Sequence, residues 1–112
     1  MDWKAYMAGI GDTSRRLEKA APEVAPAYRA LSAKAKEEGA LDLKAKELIA
    51  LAIAAAIRCE PCIGFHARAL AGLGATQDEV SEALGMVISM QGGPGYMYAG
   101  KALEAFEQFS TP

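Results

Sequence analysis

The chain has 112 residues, a formal net charge of −2 and 52% hydrophobic residues. That length predicts one domain over residues 1–112, in which about a third of the surface of the unfolded chain stays exposed after folding, so self-association is expected. The balance is too apolar for disorder and not basic enough for a nucleic-acid surface, which leaves proteins or small molecules as partners.

The start, Met1-Asp2-Trp3-Lys4-Ala5-Tyr6, has no basic region followed by an apolar signal core, and a reducing cytoplasm is the expected setting. Trp3, Tyr6, Met7 and Ile10 follow the i, i+3, i+4, i+7 spacing of a first helix, and Val24, Tyr28, Leu31 and Ala35 repeat the stripe after Pro22. Gly39 is a natural stop for this second helix. Asp42 can cap a third, which runs through the unbroken apolar stretch from Leu48 to Ile57. That stretch is too short to span a bilayer, so it predicts a buried core helix with Cys59 at its end, and no membrane partner.

Pro61 suits the first turn of a fourth helix, where its missing N–H costs nothing, and this places Cys62 near the helix start. Ile63, His66, Ala67 and Leu70 continue that helix to Gly72 or Gly74. Thr76 and Glu79 form a capping-box pattern for a fifth helix, with Val80, Leu84, Val87 and Ile88 as its apolar face. Gly92-Gly93-Pro94-Gly95 breaks the chain, and Tyr96, Ala99, Leu103 and Phe106 resume helical spacing. No alternating run suggests a strand. The expected fold is therefore all-α, a bundle of about six helices.

Cys59, Cys62 and His66 lie within eight residues and include both cysteines and the only histidine. On a helix, offsets of three and seven residues put them on one stripe. Cysteines three apart can form a disulfide, and in a reducing compartment such a pair suits redox or metal chemistry better than a structural bond. The reactive form is the thiolate, which a helix N-terminus or a neighbouring cation stabilises. Cys62 has both the helix start and His66 one turn on, whereas Cys59 is expected to be less exposed. The expected roles are a reactive Cys62 and a quieter Cys59.

Glu47 precedes the apolar run, where a carboxylate at the edge of a core needs a partner. Twelve residues are about 3.3 helical turns, so Glu47 and Cys59 meet only through a bend near Arg58 or through the fold. A zinc site with Cys59, Cys62, His66 and Glu47 as ligands is the weaker reading, because no second Cys or His pair accompanies them. Small cysteines in an alanine-rich core and a structural histidine are the plainer alternative. Lys34, Lys36, Lys44 and Lys46, with Glu37 and Glu38, are expected to form a solvated face.

Glu47, Cys59-Glu60-Pro61-Cys62 and His66 follow Lys46-Glu47-Leu48-Ile49-Ala50-Leu51 and precede Gly74-Ala75-Thr76-Gln77-Asp78-Glu79-Val80. In this arrangement the chain resembles the carboxymuconolactone decarboxylase superfamily in its alkylhydroperoxidase D-like branch, over about residues 24 to 106. The resemblance implies an all-helical homotrimer or homohexamer with a redox dithiol at a helix start near a subunit boundary, and no cofactor. It implies that Cys62 attacks a hydroperoxide and becomes a sulfenic acid, that Cys59 donates a proton and then resolves it to a disulfide, and that Glu47 and His66 relay protons. A lipoyl-like or thioredoxin-like dithiol would be the reductant.

One departure is Pro61, where the branch often carries a histidine before its second cysteine. A shorter relay, with weaker or differently tuned peroxide activity, is expected from it. The alternatives are a decarboxylase-type lyase, whose members generally lack the cysteine pair, and a thiol-disulfide exchange protein that never meets peroxide.

Overall fold

Helices start and stop where the sequence supplies caps. In the computed structural model, which describes residues 1–112, the order is α1 (Trp3–Ala20), α2 (Val24–Lys36), α3 (Leu43–Ala56), α4 (Glu60–Gly72), α5 (Gln77–Gln91) and α6 (Gly93–Ser110), with no strand. Asp42 caps α3 by accepting the Ala45 N–H at 2.8 Å, and Thr76 and Glu79 close the expected capping box on α5. Gly92, at φ +66°, makes the break between α5 and α6 in a conformation that favours glycine.

Helices α3 to α6 enclose the core. Leu51, Ala54 and Ala55 of α3 meet Ile63, Ala67 and Leu70 of α4, Val80, Leu84 and Val87 of α5, and the small stripe Ala99, Ala102 and Ala105 of α6 beside Phe106. Each fully buried large side chain contributes roughly 1.5–3 kcal/mol. Small residues decide how closely the elements approach: a Cβ on Gly95 would lie 2.7 Å from the Val87 carbonyl oxygen, so α6 rests directly on the α5 backbone. Lys44 joins the first turns of α3 and α5 through Glu79 at 2.6 Å. The hydrogen bond between them raises the Lys44 amine and lowers the Glu79 carboxyl from their ordinary values.

Helix α1 lies across α4 and α6 and is held at its start. Trp3 is fully buried, its indole N–H donates to Glu104 at 2.8 Å, and its backbone N–H donates to Gln108 at 2.8 Å. Met7 lies over the bare backbone of Gly64 on α4, so closely that a Cβ there would fall 2.1 Å from its sulfur. Helix α2 packs chiefly on α1, and the stripe Val24, Tyr28 and Leu31 is 70%, 66% and 68% exposed.

Two expectations change. The apolar run of α3 is buried on one side only: Leu51, Ala54 and Ala55 face the core, while Ile49, Ile53 and Ile57 remain exposed. One side suffices for the three neighbouring helices, which leaves the isoleucines outward. Cys59 also does not end α3, because the helix stops at Ala56 and Cys59 belongs to the turn before α4.

The anchoring of α1 is expected to fail in acid. The hydrogen bond from Trp3 holds the Glu104 carboxyl below its usual range, assisted by the terminal amino group at 3.4 Å. A carboxyl lowered in the folded state contributes stability above its ordinary value and loses it as the pH falls through the lowered one. Trp3 is the only tryptophan, so its fluorescence reports this docking. Below about pH 4 its emission should move to the red. In Glu104→Gln the emission should already be shifted at neutral pH; identical pH responses in the two proteins would show that Glu104 does not hold α1.

Candidate functional site

The turn between α3 and α4 sets the geometry of the cysteines. Past Ala56 the N–H of Arg58 bonds to the Ala55 carbonyl at 3.2 Å, and the N–H of Cys59 to the Ala54 carbonyl at 3.0 Å. These paired bonds are a Schellman stop, whose pivot residue takes the left-handed conformation. The same pattern ends α4, with Gly74 as pivot at φ +74°; here the pivot is Arg58 at φ +58°. The chain reverses within one residue, and Cys59 serves both as the last member of that stop and as the N-cap of α4.

Cys59 Sγ accepts the backbone N–H of Cys62 at 3.3 Å, and Glu60 and Pro61 fill the first turn between them. The two cysteines are joined in a disulfide with Cα atoms 5.2 Å apart. Both are half-buried, so burial does not rank them as the sequence suggested. Their difference is position. Cys59 precedes the helix, whereas Cys62 is its third residue, where unpaired backbone N–H groups and the helix dipole favour a negative charge.

Glu47 is the one charged residue buried in the core, at 2% exposure. Its Oε2 meets His66 Nδ1 at 2.6 Å, joining α3 to α4 one turn beyond Cys62. Its Oε1 lies 3.4 Å from Lys36 Nζ, which arrives from the end of α2. The fold thus brings Glu47 and His66 together and sets the cysteines at the start of His66's own helix. The bend that the sequence left open at Arg58 is the one that makes this possible.

The lysine face is solvent-exposed at Lys34 and Lys36, as expected, but three of its members also reach partners on other elements. Lys36 pairs with Glu47, Lys44 with Glu79, and Lys46 donates to the carbonyls of Ala35 and Glu37 at 2.9 and 2.5 Å. Lys36 and Arg58 are the site residues that sequence reasoning missed. No periodicity links Lys36 to a carboxylate on another helix, and an arginine carries no sign that its backbone will turn left-handed. No group of three or more His, Cys, Asp or Glu side chains converges as a metal site would require. A cleft of about 520 Å³ between α1 and α4 is lined by Lys4, Asp12, Arg15, Phe65 and Arg68 among others; neither cysteine lines it.

Residues 22–105 match the model of the carboxymuconolactone decarboxylase family. The chain belongs to that family. It is 36% identical over 110 residues to an uncharacterized protein of Cupriavidus necator, covering 98% of this chain and 97% of the other. It is 42% identical over 105 residues to an uncharacterized protein of Haemophilus influenzae, covering 94% and 93%. The crystal structure of a carboxymuconolactone decarboxylase family protein from Legionella pneumophila superposes with a TM-score of 0.94 at 45% identity, covering 97% of each chain. In this family member α1 lies outside the matched segment, yet it presses Met7 onto the helix that carries Cys62 and His66. None of the six helices is long and apolar enough to cross a membrane.

The Arg58 pivot can be tested directly. A left-handed conformation costs a non-glycine residue roughly 1–2 kcal/mol, part of which glycine returns through its freer unfolded chain. The Arg58 side chain makes no ion pair or side-chain hydrogen bond that would be lost. Arg58→Gly should raise stability by about 0.5–1 kcal/mol in denaturant unfolding of the oxidised protein. A loss of stability would mean that the arginine side chain itself supports the turn.

Proposed function

We propose that this carboxymuconolactone decarboxylase family member is a dithiol-dependent peroxidase of the alkylhydroperoxidase D-like kind, acting in a reducing cytoplasm. The observation that carries the reading is the Cys59–Cys62 bond at the start of α4 with the Glu47–His66 pair one turn behind it. Two cysteines with Cα atoms 5.2 Å apart can close and reopen a disulfide, and a carboxylate–imidazole pair can move the protons that cycling requires.

In the reduced protein the Cys62 thiol passes its proton to the Glu47–His66 pair, and the helix start stabilises the thiolate. The thiolate attacks one oxygen of a hydroperoxide. The O–O bond breaks, Cys62 becomes a sulfenic acid, and the departing alkoxide takes a proton and leaves as an alcohol. Cys59 then attacks the Cys62 sulfur: the S–S bond forms, and the hydroxyl group leaves as water with the Cys59 proton. A lipoyl-like or thioredoxin-like dithiol restores both thiols by two exchanges and becomes a disulfide itself. With Pro61 between the cysteines, Glu47 and His66 form the whole side-chain relay, consistent with a short path and a particular hydroperoxide.

We further propose that the working form is a homotrimer or homohexamer. Ile49, Ile53 and Ile57 form an exposed stripe leading to the redox turn, and Met86, Met90, Tyr96 and Met97 are exposed on either side of the Gly92 break. Apolar surface on that scale is what association covers.

Peroxide consumption with a dithiol reductant, run on wild type and on each Cys→Ser variant, tests the enzyme. Cys62→Ser should consume none and lose rapid alkylation at neutral pH, whereas Cys59→Ser should react once and stop at the sulfenic acid. Rapid alkylation in Cys62→Ser with an inert Cys59→Ser would reverse the roles. A wild type that exchanges disulfides with the reductant but leaves peroxide untouched would favour thiol-disulfide exchange.

A further inference from the structure

Glu47 is held from two sides, and only one of them belongs to the relay proposed above. His66 takes Oε2 at 2.6 Å, while Lys36 approaches Oε1 at 3.4 Å. No other hydrogen bond or ion pair reaches this carboxylate. On α3 itself Lys44 is taken by Glu79 of α5, and Lys46 by the carbonyls of Ala35 and Glu37. From α6, Lys101 lies over the Tyr98 ring, and Arg58 and Glu60 beside Cys59 form no ion pair. The two bonds from Lys46 also fix the end of α2 against α3, so Lys36 is delivered to Glu47 although the apolar face of α2 is uncovered.

We propose that Lys36 is a positioning residue that frees His66 to act as a base. A buried carboxylate must be balanced by a cation. If His66 were the only partner, it would be held as the imidazolium, which has no free nitrogen to receive a proton from the dithiol. The Lys36 ammonium supplies the balancing charge instead. The imidazole, bonded to Glu47 through Nδ1, then keeps Nε2 free to accept the Cys62 proton. Lys36 touches neither the cysteines nor a substrate, and it acts through Glu47 alone.

This rests on the dithiol reading for its purpose, but its test does not need peroxide turnover. His66 is the only histidine, so its ring resonances are unambiguous in NMR. In oxidised Lys36→Met the midpoint of the ring titration should rise by about half a pH unit or more. The pH–rate profile for iodoacetamide alkylation of the reduced protein should move in the same direction. Lys36→Arg should restore both, and Lys34→Met, which removes a neighbouring exposed lysine, should change neither. Lys36→Gln serves as a second neutral variant should the methionine perturb folding, which circular dichroism reports. A wild-type midpoint in the neutral variants, or an equal shift in Lys34→Met, would overturn the proposal. Loss of the peroxidase reading would instead appear as absent peroxide consumption with the His66 shift intact.

Discussion

A carboxylate removed from water must find its partners inside the fold, and Glu47 is the one charged residue buried in the core. Its partner His66 lies 19 residues later on the next helix, so satisfying Glu47 fixes the rotation of α4 against α3. Because α4 begins at the cysteines, the same contact fixes which way they face. A hydrophobic contact would tolerate sliding by part of a turn. A 2.6 Å contact to a ring nitrogen does not.

The turn at Arg58 makes that contact reachable. A longer connection would let α4 drift along α3, whereas a stop that shares Cys59 with the next helix leaves no slack. The first turn of α4 is stiffened by Pro61 and by the N–H of Cys62 bonding to Cys59 Sγ. Behind it, Gly64 admits Met7 of α1 onto the backbone, so the helix carrying Cys62 is packed by α1 as well as by α3. Rigidity on both sides suits chemistry in which one sulfur must repeatedly find the other.

Much of this was legible in the sequence where local rules act alone. Asp42, Thr76 with Glu79, Pro61 and Gly92 each mark a helix boundary through a hydrogen bond or a dihedral that a few neighbouring residues decide, and the six helices follow. Cys59, Cys62 and His66 could be grouped because they share one turn and a half of chain. Glu47 was visible only as a carboxylate in need of a partner, and family resemblance, rather than spacing, linked it to the cysteines. Lys36 was hidden among solvated lysines, since its role depends on where α2 ends in space. The apolar run of α3 predicts a wholly buried helix because periodicity cannot say how many neighbours a helix will have. Ile49, Ile53 and Ile57 face outward in the single chain.

The central claim is that Glu47 and His66 act on the dithiol as one unit. A double-mutant cycle on the alkylation rate of Cys62 in reduced protein at neutral pH measures this coupling, using Glu47→Gln, His66→Asn and the double variant. Each single change should slow the reaction by about tenfold or more, and the double variant should be no slower than the slower single. Losses that multiply in the double variant would show two independent residues and contradict the account.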